Sequence, residues 1–155
     1  MAAARHVKVA AAKGYVQVID LGVLFVSAFA ASTILPMSSE AVLAGLVAFG
    51  STNPLLLLAV ATAGNTLGAV FNWGVGRLAS NSRWRLRAVA DARFQRASRW
   101  FNRWGIWSLL LSWMPVIGDP LTLVAGALRT SFVPFLLLVL VGKAARYAAV
   151  LLLAS

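Results

Sequence analysis

Gly105 to Leu128 reads GIWSLLLSWMPVIGDPLTLVAGAL, a stretch too apolar for water and too broken for a plain membrane crossing. An apolar arm, Gly105 to Met114, leads into the break Pro115-Val116-Ile117-Gly118-Asp119-Pro120, and a second arm, Leu121 to Leu128, follows it. As α-helix each arm covers about 12 to 15 Å, half of the hydrocarbon core. Arg103 and Arg129 bracket the stretch. Lys and Arg prefer the cytoplasmic side, and a single crossing cannot keep both brackets there. A re-entrant hairpin around 115–120 can.

Outward from this stretch, residues 134–154 form a long apolar span interrupted by Lys143 and Arg146. On the other side, residues 77–103 contain eight Arg and one Asp. A helical wheel puts Leu86, Ala90, Phe94, Ala97, Phe101 and Trp104 on one face, with Arg85, Arg96, Arg99 and Arg103 roughly opposite. The pattern predicts a basic amphipathic helix over 80–104 lying along the cytoplasmic headgroups, unless the segment is only a topogenic loop. The six Trp fall between residues 73 and 113 and read as an interfacial belt.

The same grammar appears earlier in the chain. An apolar run over 14–35, carrying only Gln17 and Asp20 as strongly polar groups, breaks at Pro36-Met37-Ser38-Ser39-Glu40. Residues 41–50 are too short to span, whereas residues 54–76 carry no ionisable group and make the clearest transmembrane helix. In each half a proline (Pro36, Pro115) precedes an acid by four residues (Glu40, Asp119). A short arm with Gly45 or Gly126 follows, then a second proline (Pro54, Pro134) and a long helix. The predicted fold is an all-α integral membrane protein, a single domain over 1–155. It is an inverted repeat of a re-entrant helical hairpin plus a transmembrane helix, with halves at 14–79 and 105–154 and the basic segment 80–104 between them. Paired broken segments of this kind point to a midplane site in transporters.

Composition agrees. The chain has 155 residues, 61% apolar and only 12% charged, against about 25% charged in soluble domains. Its net charge of +10 suits the positive-inside bias; nucleic acid is excluded because so apolar a chain lacks the soluble face to bind it. No cysteine is present, which removes disulfides, thiolate nucleophiles and Cys-based metal sites. The only histidine, His6, precedes every apolar run, so no intramembrane Ser-His arrangement can form. Four acids, Asp20, Glu40, Asp91 and Asp119, are too scattered for a metal-dependent phosphotransferase. The expectation is a protein without catalysis, metal or cofactor. The N-terminal segment superficially resembles a signal peptide, yet its apolar run continues past Ala28-Phe29-Ala30, so it is expected to stay as an anchor.

Glu40 and Asp119 are the acids placed in the breaks. A carboxylate at that depth costs about 2.5 to 3.5 kcal/mol to insert when charged, so it needs a cationic partner or a proton. Both are candidates for transport and proton coupling. Both also fit simple helix capping, Asp119 as an N-cap before Pro120 and Glu40 as a first-turn acid. Lys143 and Arg146 fall near mid-depth in the last span, where they either snorkel, neutralise the acids, or hold a lipid phosphate. Asn65, Ala69, Asn72 and Gly76 share one face of the 54–76 helix beside Gly64-x-x-x-Gly68. That face permits close helix packing or lines a polar path through Asn65 and Asn72.

The strings Leu35-Pro36-Met37-Ser38-Ser39-Glu40-Ala41-Val42-Leu43, Gly64-Asn65-Thr66-Leu67-Gly68 and Gly74-Val75-Gly76-Arg77 resemble the DedA superfamily. With Ser112-Trp113-Met114-Pro115-Val116-Ile117-Gly118-Asp119-Pro120 and Val124-Ala125-Gly126, the resemblance is to its short YqaA-type branch and covers about residues 20–150. It implies the VTT, or SNARE-associated, domain with two facing re-entrant hairpins in the bacterial inner membrane. It also implies lipid movement between leaflets linked to the proton gradient, with undecaprenyl phosphate and phosphatidylethanolamine among the lipids moved by family members. Longer members carry arginines on both sides of the second-hairpin proline; here Ser112 and Gly118 stand there, and Asp119 follows. Phosphate binding or counter-charge would then fall to Arg77, Arg129, Lys143 or Arg146.

The leading expectation is a lipid translocase with anionic headgroups and a proton as partners, in a form compatible with a homo-oligomer. A proton-coupled exporter of small cations or drugs would use the same acids. A non-transporting membrane organiser would instead depend on Arg96, Arg99 and Arg103.

Overall fold

A computed structural model describes residues 2–33, 38–49, 52–78, 91–114 and 117–154. Three helices are long and apolar enough to cross a membrane: the Gly14–Ala31 part of α1 (Ala2–Ala31), all of α3 (Pro54–Leu78), and Phe132–Leu153 of α6 (Phe132–Ala154). Shorter pieces fill the gaps, namely α2 (Ser38–Ala48), α4 (Ala92–Trp104), a 3₁₀ segment (Gly105–Trp113) and α5 (Gly118–Ala127). The chain is all-helical among these residues.

Local chemistry sets the boundaries. α1 begins at Ala2, well before the apolar run, because the alanine-rich start is a strong helix former. It ends at Ala31 rather than reaching Leu35: the amides of Ser32 and Thr33 turn back to the Phe29 and Ala30 carbonyls at 3.2 and 3.0 Å. α3 opens on Pro54, with the Asn53 side chain accepting from the Leu55 amide at 2.9 Å. Asp91 caps α4 by accepting from the Arg93 amide at 2.7 Å. Gly105 ends α4 at φ 57°, a left-handed turn that redirects the chain from the polar helix into the apolar arm. α5 closes with Arg129 in the left-handed region (φ 55°). The Thr130 amide bonds the Ala125 carbonyl and the Arg129 amide that of Gly126, the pattern that usually takes glycine.

Two sequence expectations change here. The arm before the second break is 3₁₀, not α, so its nine residues rise about 18 Å, still short of the bilayer core. Asp119 is not an N-cap: α5 starts at Gly118, two residues before Pro120, and the cap position falls to Ile117, which makes no side-chain cap bond. Of the amphipathic segment, α4 is described. Ala97 and Phe101 are buried and Phe94 is half-buried, but Trp104 is exposed, with Arg96, Arg99 and Arg103 on the open side. Arg85, Leu86 and Ala90 lie outside the described residues, as do Pro36 and Pro115.

Two apolar clusters form the core. One joins Ala69 of α3, Leu109 of the 3₁₀ segment, Leu121 and Val124 of α5, and Phe135 and Val139 of α6. The other joins Leu24 and Ala28 of α1, Leu43 of α2, Leu57 and Ala61 of α3, and Tyr147 of α6. Glycine permits the closest crossings. A Cβ on Gly64 would stand 2.6 Å from the Phe25 carbonyl oxygen, and one on Gly68 2.6 Å from the Ser32 Cβ. This is the small-residue packing that holds helices together in lipid. The outer faces carry Val18, Ile19 and Val26 on α1, Leu67 and Phe71 on α3, and Leu137 and Val141 on α6, all exposed as lipid contact requires.

Candidate functional site

Ala61 and Ala69 belong to different clusters, and Asn65 sits one turn from each on α3. Val139 and Tyr147 flank Lys143 on α6 in the same way. A polar layer therefore lies between the two apolar clusters. Asn65 is the twelfth of 25 residues in α3 and Lys143 the twelfth of 23 in α6, so the layer is level with the middle of both long helices. The C-terminal end of α1 and the first turns of α2 and α5 deliver Ser32, Ser39, Glu40 and Asp119 to it.

Lys143 is the centre. Its side chain is only 3% exposed, and its ammonium donates to Ser32 Oγ at 3.1 Å, Asp119 Oδ1 at 3.4 Å and Asn65 Oδ1. Three donors meet three acceptors, the condition under which a buried ammonium is tolerable. Asn65 is equally committed, donating from Nδ2 to the Ala28 carbonyl and to Tyr147 Oη, both at 3.0 Å. The Tyr147 hydroxyl is also 2.9 Å from Ser39 Oγ. Asp119 accepts from Ser32 Oγ at 3.0 Å, and its own carbonyl accepts from Thr122 Oγ1 at 2.7 Å. The second ion pair lies one turn along α6, where Arg146 Nε donates to Glu40 Oε1. Here the cation is wetter, at 16% exposure for Arg146 against 3% for Lys143, while the two acids are equally exposed at 28%.

Five of the sequence-predicted residues thus converge: Glu40, Asp119, Lys143, Arg146 and Asn65. Asn72 stands beside the group, donating to the Ser32 carbonyl at 2.8 Å. Two predicted cations lie elsewhere. Arg77, at the end of α3, is exposed and stacks its guanidinium 5.0 Å from the Trp73 ring centre. Arg129 is exposed in the turn after α5. The same Trp73 donates to Thr130 Oγ1 at 3.3 Å and packs on Phe132 and Phe135, which fixes that turn.

Sequence reasoning did not single out Ser32, Ser39 or Tyr147. Tyr147 left one usable signal, falling four residues after Lys143 and so on the same helix face. Ser32 and Ser39 are ordinary residues near a proline break.

The VTT domain family profile matches residues 35–155. The chain is 41% identical over 137 residues to "Inner membrane protein YqaA" of Escherichia coli (strain K12), covering 86% of this chain and 90% of that protein. The protein of the same name from Shigella flexneri matches with the same identity and coverage. An "Uncharacterized protein" of Haemophilus influenzae is 37% identical over 140 residues, covering 85% of each chain. No solved structure matches.

Proposed function

The chain belongs to the VTT-domain, or DedA, family and is a multi-pass protein of the bacterial inner membrane; on that premise we propose that it is a proton-linked lipid translocase, not an enzyme. The observation that carries this reading is the Lys143–Asp119 pair, held midway along two spanning helices. Charges at that depth are costly and mark ion or substrate pathways by default.

The chemistry follows from charge neutrality. A cation paired with a carboxylate is neutral, and so is the same cation paired with a lipid phosphate beside a protonated carboxylic acid. Uptake of one proton on Glu40 or Asp119 therefore releases Arg146 or Lys143 to one phosphate charge without leaving net charge in the bilayer. Loss of the proton reverses the exchange. Arg146 suits the task best, since a guanidinium meets phosphate through paired donors.

The topology proposed for this mechanism is two re-entrant hairpins in an inverted repeat, within one membrane domain. It is supported by the lengths of α2, the 3₁₀ segment and α5, about 16, 18 and 15 Å. Each is near half the hydrocarbon core, and Glu40 and Asp119 each lie in the first turn of a short helix. Single cysteines replacing Trp104 and Thr130, in a chain with no other thiol, should react with an impermeant reagent from the same side; opposite-side labelling excludes the second hairpin.

Flipping of a labelled anionic phospholipid in proteoliposomes with an imposed pH gradient tests the function. Glu40→Gln and Asp119→Asn should each slow it while the protein still elutes as a folded species. Unchanged flipping in both variants removes the acids from the mechanism. Gradient-driven flux of small cations without lipid movement would instead establish an exporter.

A further inference from the structure

Away from the central pairs, a groove of about 640 Å³ opens between the C-terminal turns of α4 and the 3₁₀ segment. We propose that it binds one anionic phospholipid, with the phosphate held by Arg99 and Arg103 and an acyl chain laid along Trp107 and Leu111. The inference stands apart from the translocation reading, since it uses none of the residues of the polar layer.

Charge and register carry it. Arg99 and Arg103 are one helical turn apart on α4, so their side chains start about 5 to 6 Å from each other and can converge on one phosphate. Both are exposed, and among the described residues neither has a carboxylate partner. Asp91, the acid that precedes this helix, is occupied as its N-cap and lies about 12 Å along the axis from Arg99; Asp119, on the neighbouring α5, is engaged by Ser32 and Lys143. Arg103 also has its guanidinium 5.8 Å from the Trp104 ring centre, which restricts its range before any ligand arrives.

The groove changes character along its length. Its α4 end is cationic, whereas its other end follows the apolar 3₁₀ arm, where Leu111 lies about 12 Å beyond Gly105. A free phosphate would use the mouth alone. A phospholipid would use both ends, with its headgroup beside the amphipathic helix and its chain descending along the tryptophans. Two arginines at the mouth also disfavour the cationic amine of a zwitterionic headgroup, so the lipid class is anionic. A long 3₁₀ run is itself uncommon. Its period of three puts Trp104, Trp107, Leu110 and Trp113 in one exposed row beside the groove.

The test uses the full chain purified in neutral detergent, with retained lipid read by native mass spectrometry. Phosphatidylglycerol should be retained over phosphatidylcholine, at one molecule per chain, and millimolar inorganic phosphate should not displace it. Arg99→Gln with Arg103→Gln should weaken retention by about tenfold or more. Arg93→Gln with Arg96→Gln removes the same charge from the same helix outside the groove and should leave retention unchanged. Trp107→Ala keeps both arginines and should weaken retention by a smaller factor. Equal losses in the two arginine pairs would reduce the effect to diffuse surface charge. Displacement by phosphate, or no preference over phosphatidylcholine, would likewise overturn the site.

Discussion

Glu40 with Arg146 and Asp119 with Lys143 are the same device built twice, but the two copies sit in different surroundings. The second is enclosed: its ammonium is buried, and Ser32, Asn65 and Asp119 supply one acceptor for each donor. The first is more open at its cation, with Arg146 16% exposed against 3% for Lys143. The backbone shows the same contrast. Gly126 on α5 lies hard against the Trp73 carbonyl, while Gly45, its counterpart in the repeat pattern, has nothing within 4 Å of where a Cβ would stand. A shared sequence grammar thus yields one kink that is clamped and one that is loose. On the translocation reading, the loose pair is the one that opens to a headgroup.

The glycines give the largest expected difference between the two kinks. Gly126→Ala puts a methyl group into a backbone carbonyl that cannot turn aside and should cost about 3 kcal/mol of stability. Gly45→Ala fills open space and should change stability by less than about 0.5 kcal/mol, or raise it slightly through helix propensity. Unfolding against increasing denaturing detergent measures both. Similar losses would mean that α2 is packed as tightly as α5, and the comparison would fail.

The ion pairs come next. Asp119→Asn leaves the Lys143 ammonium buried without its counter-charge and should cost about 2 to 3 kcal/mol, somewhat less than for a fully enclosed pair because Asp119 itself is 28% exposed. Glu40→Gln should cost about 1 kcal/mol or less, since Arg146 retains access to solvent. Combining Asp119→Asn with Lys143→Met should recover part of the loss, because it removes the stranded charge. A greater loss in the double variant would show that Lys143 stabilises the fold through Ser32 and Asn65 without needing the acid.

How much of this was legible follows from how conspicuous each residue is in an apolar chain. A charge within a hydrophobic span or at its break has few benign explanations, so Lys143 and Arg146 in the last span and Glu40 and Asp119 in the two breaks stood out, as did the amide of Asn65. Which acid would meet which cation did not, because pairing depends on where two kinks end in space. Asp119-Pro120 reads naturally as a cap and first turn, yet Gly118 takes the first helical position and leaves the carboxylate to reach across to Ser32 and Lys143. The 3₁₀ form of Gly105–Trp113 was hidden as well, since nine residues with an apolar repeat of three fit either helix. The three long helices were readable by length alone. Arg77 and Arg129 were grouped with the site by charge, and geometry puts both outside it.

Tyr147 offers a small effect, read as a coupling, and the sharpest discrimination. Its hydroxyl touches Ser39, next to Glu40, and receives a bond from Asn65, which in turn accepts from Lys143. One oxygen therefore joins the loose kink to the clamped one. Tyr147→Phe removes that oxygen and keeps the ring in its apolar cluster, so the cost should be about 1 kcal/mol. The informative quantity is the coupling. If the two pairs act through this bridge, Tyr147→Phe should be non-additive with both Asp119→Asn and Glu40→Gln, by about 0.5 kcal/mol or more in each cycle. Coupling to Asp119→Asn alone would confine the bridge to the clamped kink. Glu40 and Arg146 would then work as an independent gate, and a proton taken up there would have no hydrogen-bonded route to the buried lysine.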